Sequence, residues 1–234
     1  MINNQPVQLP LEFTNKDRSF KHFIADNDNS LLAINLIKKN INSSKYNLIY
    51  LWSRNIGVGL SHLLHASCNY CMENHYKSLY LDGEYLHQQP IEILDQITNI
   101  DLICIDNIHF LVTNTKWEKA LFNLINHAVT NNINILTSGN DSLHILAVQL
   151  PDLHTRLKSG ISCKIIDISE TSKIKMLQKH AITRGFSLDR KIAAFILKRC
   201  NRDNKSLIDF LNLIDKTSLS NKKKISISLV SKLL

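Results

Sequence analysis

Two glycines and a serine, Gly57, Gly59 and Ser61, follow a short apolar run, Leu48–Trp52, and precede a stretch with helical spacing. A glycine-containing turn between a strand and a helix can direct backbone N–H groups and the positive end of the helix at a phosphate. The spacing is that of the phosphate-binding loop G-x-x-x-x-G-K-[ST], whose last hydroxyl binds a magnesium ion. The pattern therefore indicates a phosphate-binding loop, or P-loop.

Two residues of this loop differ from the usual pattern. Arg54 stands at the position of the first glycine, and Leu60 replaces the lysine that would contact the β- and γ-phosphates. The segment is either an ordinary strand-to-helix turn of an α/β domain or the P-loop of a domain that has lost its own catalysis. The residues that follow favour the second interpretation.

A further candidate site residue, Asp106, ends the apolar strand predicted within Asp101–Asn107. In P-loop proteins an aspartate at this position holds the magnesium ion, and the acid after it polarises the attacking water. The next residue here is Asn107, whose amide cannot take a proton. We therefore expect negligible ATPase activity from the chain alone.

These residues need a scaffold, and strands alternate with helices along residues 20–168. The apolar pattern predicts strands at 48–52, 78–81, 101–107, 133–138 and 163–168. It predicts helices at 31–37, from the P-loop to about Asn74, and at 91–97, 116–129 and 150–157. Such alternation predicts a parallel, right-handed α/β sheet flanked by helices.

From Ser169 onward the pattern is wholly helical. Helices are predicted at 170–184, 189–200, 206–216 and 225–234, with Gly185 closing the first. The chain is therefore divided into an N-terminal arm (1–19), an α/β nucleotide-binding core (20–168) and a small all-helical lid domain (169–234).

The polar N-terminal arm contains one apolar hexapeptide, Gln8–Phe13. Pro10 excludes a helix and favours an extended chain, which places Leu9, Leu11 and Phe13 on one side. An apolar stripe without a core of its own is either a docking peptide or an edge strand. With Gln8, the pattern Q-L-x-L-x-[LF] resembles the peptide that bacterial proteins insert into the sliding clamp of the replisome.

Composition excludes several classes of protein. No run approaches the roughly 18 consecutive apolar residues of a membrane span, and the polar N-terminus lacks the pattern of a signal peptide. Five cysteines scattered through apolar segments favour a reduced, cytoplasmic protein. The net charge of +8 permits work close to nucleic acid, but a solvated basic surface explains it equally well because the lysines are spread out.

Four potential zinc ligands, His62, His65, Cys68 and Cys71, follow one another at intervals of three residues. On a helix with 3.6 residues per turn, each such step moves the side chain backward around the axis, so the four cannot converge on one tetrahedral centre. We therefore expect no metal site here and interpret Cys68 and Cys71 as small core residues.

Nearly the whole chain resembles the AAA+ family of the bacterial replication initiator DnaA, and more closely its Hda-type regulatory inactivators. The matching segments are Tyr50–Arg54, Ser61–Ala66, Cys104–Ile108, Leu150–Leu153 with Arg156 and Leu157, and Arg184–Phe186. The resemblance implies an AAA+ P-loop core followed by a helical lid domain. The sequence ends where DnaA would continue into a helix-turn-helix DNA-binding domain, which favours the inactivator over the initiator.

The resemblance also assigns roles by position. Gly57, Gly59, Ser61 and His62 belong to the P-loop, Asp106 is the Walker B acid, Asn140 the first sensor, Lys205 the second sensor and Arg156 the arginine finger. ADP is the implied ligand, weakened by Leu60, with Arg54 or Lys205 as a source of compensating charge. Magnesium binding is left open.

The implied function is that of a regulator of replication initiation. Tethered by Gln8–Phe13 to the sliding clamp of DNA polymerase III, the protein would present Arg156 to ATP held by DnaA and stimulate its hydrolysis, preventing re-initiation. DNA would be contacted mainly through the clamp, and a homodimer or higher oligomer is compatible with this role. The alternatives are an autonomous ATPase such as a helicase loader, against which Leu60 and Asn107 count, and a DNA-binding module, which only the charge suggests.

Overall fold

The computed structural model describes residues 18–221 and 224–234. The hexapeptide Gln8–Phe13 lies outside the described residues, so its predicted role stays a prediction. Within the described ranges, no helix is both long enough and apolar enough to cross a membrane.

Among the described residues, five parallel strands form the central sheet, in the order β2-β3-β4-β1-β5. They are β1 (Leu48–Trp52), β2 (Ser78–Asp82), β3 (Leu102–Asp106), β4 (Asn134–Gly139) and β5 (Ile161–Lys164). The predicted parallel α/β sheet is confirmed. Because all strands run in one direction, the loops that follow them meet at one edge of the sheet, where ligands of open α/β sheets bind.

Helices cover both faces of the sheet. The core helices are α1 (Asp28–Ile41), α2 (Leu60–Glu73), the short α3 (Gly83–Leu86), α4 (Thr115–Asn131) and α5 (Pro151–Lys158). Strand β1 alternates between the two layers: Ile49 and Leu51 pack with residues of α1 and α2, whereas Leu48 and Tyr50 pack with residues of α4 and α5. Burial on both faces explains the continuous apolar sequence of this strand.

In the described part of the lid domain, the helices are α6 (Glu170–Thr183), α7 (Arg190–Arg199), α8 (Asn204–Asn221) and α9 (Ile227–Ser231). They enclose a separate apolar cluster that includes Leu177, Ile196 and Leu211. Gly185 follows α6 with φ +83°, which is the left-handed conformation predicted for the end of this helix.

The structure differs from the sequence prediction in several elements. Residues 91–97 were expected to form an α-helix, but Ile91–Gln96 form a 3₁₀ helix, a conformation common in short connections. The strand predicted at 163–168 lies earlier in the structure, since β5 ends at Lys164. Ile168 packs into the lid cluster, so the chain must leave the sheet before this residue. Helix α3 was not predicted.

Hydrogen bonds fix the junction between core and lid. Asp26 accepts hydrogen bonds from the backbone N–H and the hydroxyl of Ser169, both at 2.8 Å. The buried ammonium of Lys173 lies 2.5 Å from Asp167 Oδ2 and 2.5 Å from the carbonyl oxygen of Arg202. Lys173 thereby joins the start of α6 to the residues just before α8, so it fixes how the beginning of α8 faces the core.

Candidate functional site

The P-loop lies between the carboxyl end of β1 and the first turn of α2. Gly57 and Gly59 have φ angles of +74° and +101°, which an L-residue with a side chain rarely adopts. Gly59 also occupies the N-cap position of α2, so the first N–H groups of the helix face the loop. Ser61 is exposed in that first turn. The backbone therefore has the form of a phosphate cradle.

Residues that precede α1 cover this loop from one side. A methyl group on Gly59 would come within 2.7 Å of the ring of Phe23. The Phe23 ring also lies 5.6 Å from that of His62, measured between centroids, and His62 Nε2 is 3.0 Å from the carbonyl oxygen of Ser19. Burial lowers the pKa of His62. The imidazole of His62 is thus occupied by contacts with the chain itself.

The two positions that depart from the P-loop pattern do not supply a phosphate-binding charge. Leu60 packs against the apolar cluster beneath α1 and α2. Arg54 Nε is 3.1 Å from Asp141 Oδ1 and 3.0 Å from Oδ2, so its charge is paired across the loops that follow β1 and β4. Desolvation would raise the pKa of Asp141, but hydrogen bonds from Ser142 and Arg54 outweigh it and the pKa is lowered.

Asp106 is held within the protein by three hydrogen bonds. It accepts from the hydroxyl of Tyr80 at 2.7 Å, from the backbone N–H of Asn107 at 3.1 Å, and from the hydroxyl of Ser138. The ring of His65 stacks on Tyr80 with a centroid distance of 4.0 Å. Asp106 is only 1% exposed, and both of its carboxylate oxygens accept hydrogen bonds. The carboxylate oxygens of Asp106 are therefore not available to a hydrated magnesium ion unless Asp106 breaks these hydrogen bonds.

The structure places the two asparagines of the predicted site at the same edge of the sheet. Asn107 adopts the left-handed conformation with φ +54°, and its amide nitrogen lies 3.4 Å from Asp82 Oδ1. Asn140 follows β4 directly and is exposed. Since β4 lies between β1 and β3, Asn140 is positioned between the P-loop and Asp106 along that edge.

The lid domain meets the P-loop at the start of α8. A methyl group on Gly57 would come 3.1 Å from Asp203 Oδ1 and 3.1 Å from the backbone nitrogen of Lys205. Asp203 Oδ1 also accepts a hydrogen bond from the backbone N–H of Ser206 at 2.8 Å. Lys205 is exposed beside the loop. The structure therefore brings the P-loop, His62 and the start of α8 with Lys205 close together.

Arg156 lies elsewhere, on helix α5. Leu153 and Leu157 anchor this helix in the core, and Arg156 between them is exposed. Burial raises the pKa of Tyr46, and the positive charge of Arg156 partly offsets that rise. The guanidinium of Arg156 therefore lies near Tyr46, which stands two residues before β1. The end of α5 packs there as well, since a methyl group on Gly160 would come 2.4 Å from Leu48 Cδ2. Arg156 and the P-loop thus lie at opposite ends of β1.

Sequence reasoning missed four residues that shape the site. Tyr80 and Ser138 bind Asp106, Phe23 covers Gly59, and Asp203 touches Gly57. Only Asp203 had a local signal, because an aspartate three residues before Ser206 is a typical N-cap. Cys68 and Cys71 are buried in the apolar cluster, as predicted. The described residues contain no group of three or more His, Cys, Asp or Glu side chains arranged to hold a metal ion.

Comparisons with known proteins agree with this geometry. Residues 14–164 match the bacterial DnaA ATPase domain family, and residues 170–234 match the Hda lid domain. An uncharacterized protein of Haemophilus influenzae is 31% identical over 232 residues, which cover 99% of both chains. Domain III of the Thermotoga maritima replication initiation protein DnaA superposes with a TM-score of 0.84 at 17% identity, covering 95% of this chain and 97% of that one. AMPPCP-bound DnaA from Aquifex aeolicus superposes with a TM-score of 0.72 at 20% identity, covering 87% of this chain and 66% of that one.

Proposed function

The chain belongs to the bacterial DnaA ATPase domain family and carries an Hda-type lid domain, and from this premise we propose that it regulates replication initiation by acting on DnaA. The protein stimulates hydrolysis of the ATP that DnaA holds, and it does so by inserting Arg156 into the nucleotide site of DnaA. The hexapeptide Gln8–Phe13 tethers it to the sliding clamp, so that inactivation follows replication.

The position of Arg156 is the observation that supports this proposal most. The five residues of β1, at about 3.3 Å each, put roughly 15 Å between Arg156 and the chain's own P-loop. An arginine finger must touch the transferring phosphoryl group, so Arg156 can serve only a nucleotide bound by another molecule. Among the described residues, the Arg156 side chain forms no ion pair, which leaves its charge available to a partner.

The guanidinium suits this task for a physical reason. It is planar, permanently charged and offers several N–H donors in a fixed arrangement that matches phosphate oxygens. Charge spreads over those oxygens in the transition state, and a finger supplied by a second protein accelerates hydrolysis by roughly 10³ to 10⁵. Helix α5 is anchored by the buried Leu153 and Leu157, so the backbone that carries Arg156 is already fixed before docking.

The chain's own nucleotide site supports a role other than catalysis. The positive φ angles of Gly57 and Gly59 and the start of α2 at the loop support phosphate binding, and we propose that the loop binds ADP weakly through Gly57, Gly59 and Ser61, with Asn140 and Lys205 nearby. The adenine nucleotide would supply structural stabilisation there. Hydrolysis is not expected, because Leu60 adds no charge and Asn107 cannot polarise water.

The tether explains how a weak encounter becomes efficient. A peptide bound to the clamp raises the local concentration of the protein near replicating DNA, so that association with DnaA becomes effectively intramolecular on the clamp-loaded template. DNA is then contacted mainly through the clamp.

A hydrolysis assay tests the proposal. Radiolabelled ATP bound to DnaA is incubated with clamp-loaded DNA and either wild-type protein, Arg156→Ala or the matched control Lys158→Ala, which removes an exposed cation from the same helix. We expect stimulation by wild type and Lys158→Ala and none by Arg156→Ala. Equal stimulation by all three would contradict the role of Arg156.

A further inference from the structure

A carboxylate of the lid domain lies against the P-loop. Asp203 Oδ1 would be 3.1 Å from a methyl group on Gly57, at the glycine whose φ of +74° shapes the loop. A phosphate cradle normally presents only N–H groups and cations to its ligand, because both attract negative charge. An acid at this point therefore opposes the binding of a phosphate.

The carboxylate is ionised. Desolvation would raise the pKa of Asp203, but hydrogen bonds from Ser206 outweigh it, helped by the charge of Lys173, and the pKa is lowered. Lys173 itself is paired with Asp167 at 2.5 Å, so its charge is shared with another acid. Asp203 therefore carries a full negative charge at neutral pH.

Within the loop itself, neither of the two altered positions supplies a free positive charge against Asp203. Leu60 is neutral and packs inward, and Arg54 is paired with Asp141. Lys205 is exposed and is the lysine that the sequence analysis assigned to the nucleotide site. Its backbone nitrogen would lie 3.1 Å from a methyl group on Gly57, on the same side as Asp203. One acid and one lysine thus approach the loop together from the lid domain.

The position of Asp203 is also fixed. Lys173 binds the carbonyl oxygen of Arg202, the residue just before it, and Asp203 itself caps α8 through Ser206. Asn204, the next residue, is buried. The carboxylate is held at the loop by contacts on both sides, so it cannot turn away without loss of the helix cap.

We propose that Asp203 sets the nucleotide affinity of this chain, acting as a fixed negative charge that weakens the binding of di- and triphosphates at the P-loop. The inference rests on the proposed nucleotide site of the chain but not on the action of Arg156. Repulsion grows with the charge of the ligand, so ATP is disfavoured more than ADP. Salt reduces the effect, since the site is open to solvent.

Titration calorimetry with ADP and with ATP tests this, using the full-length protein, Asp203→Asn and Asp209→Asn. Asparagine is as good an N-cap as aspartate, so Asp203→Asn keeps the hydrogen bond to Ser206 and removes only the charge. Asp209→Asn makes the same change in charge at an exposed site on the same helix. Thermal unfolding of each variant verifies the fold.

We expect Asp203→Asn to bind ADP about tenfold more tightly than wild type, as the removal of one charge at short range produces in a partly aqueous site. The gain should be larger for ATP and smaller at high salt, and Asp209→Asn should stay within about twofold of wild type. Equal affinities of wild type and folded Asp203→Asn, including no binding by either, would overturn the inference. The proposed function is judged separately, because only the Arg156→Ala assay with DnaA tests it.

Discussion

Arg156 and Gly57 lie beyond opposite ends of strand β1, the first near Tyr46 and the second in the P-loop. The two proposed sites therefore lie at opposite ends of one strand, so the proposed finger would reach the nucleotide of a neighbour rather than that of its own chain. This arrangement follows from a parallel sheet in which α5 returns to the amino end of β1 before β5 begins. Under the proposed function, this separation lets Arg156 act on a partner although Leu60 and Asn107 stand in the chain's own site.

The first prediction concerns the clamp-binding hexapeptide. Replacing both Gln8 and Leu11 by alanine should abolish retention of the protein on a column of immobilised sliding clamp, because the substitutions remove the polar anchor and the central apolar contact. The variant should still unfold at the wild-type temperature, because the sequence predicts that the arm contributes no core of its own. Unchanged retention would leave the edge-strand interpretation of this segment.

The second prediction concerns catalysis by the isolated protein. We expect no ATP turnover above background, because Leu60 and Asn107 stand where a lysine and an acid act in hydrolysing relatives of the P-loop class. Release of radiolabelled phosphate by the purified protein measures this. The matched control is Ser61→Ala, which removes the P-loop hydroxyl. Turnover that Ser61→Ala abolishes would belong to this chain and contradict the prediction, whereas turnover that survives would belong to a contaminant.

The third prediction concerns the shape of the P-loop. Gly59→Ala should lower the free energy of unfolding by about 2 to 4 kcal/mol, because alanine is strained in the left-handed region and would also collide with Phe23. Gly185→Ala introduces the same strain where nothing lies within 4 Å, so it should cost only about 1 kcal/mol. Urea unfolding followed by circular dichroism compares them, and equal losses would show that Phe23 yields freely.

The fourth prediction concerns pH. Burial lowers the pKa of His65 to about 4, whereas the unfolded chain titrates near its ordinary value of 6.5. Between these two pH values the unfolded state binds more protons at His65 than the folded state does. The contribution of His65 to the free energy of unfolding therefore rises with pH from about 4 to 6.5 and is constant above that range. Lowering the pH from 7 to 5 should therefore cost about 2 kcal/mol from this residue.

His65→Phe checks this origin, because phenylalanine can still stack on Tyr80 but cannot be protonated. Its free energy of unfolding should change less between pH 7 and 5 than that of wild type. Three acids have lowered pKa values: Asp26, Asp141 and Asp203. Their contribution to the free energy of unfolding is lost only below the ordinary aspartate pKa of 3.8, so they do not affect stability between pH 5 and 7. If the free energy of unfolding of His65→Phe depended on pH as strongly as that of wild type, the pH dependence would come from other groups, such as His62.

Much of the fold could be predicted because its signals are local. The apolar run before Gly57, the acid at the end of β3 and the glycine after α6 each define an element within a few residues. Strand β5 was predicted too long because the isoleucines beyond Lys164 belong to two different cores: Ile165 packs in the cluster beside the sheet, whereas Ile168 packs in the lid cluster. An apolar run alone does not say which core it enters.

The contacts that define the site were not predictable in the same way. Tyr80 reaches Asp106 across two neighbouring strands, and Asp203 meets Gly57 only because the lid domain folds back on the core. Phe23 reaches Gly59 from the segment before α1. No spacing rule links residues so far apart in the chain, so their roles depend on tertiary packing.

The most direct test of the account measures the single-turnover rate constant for hydrolysis of DnaA-bound ATP at saturating concentrations of this protein on clamp-loaded DNA. Saturation separates docking from the chemical step. We predict that folded, clamp-binding Arg156→Ala lowers the stimulated rate constant by roughly 10³ or more, and that Arg156→Lys, with its charge but without the planar donors, lowers it nearly as much. A wild-type rate constant for Arg156→Ala at saturation would contradict the assignment of Arg156 as a finger acting in trans.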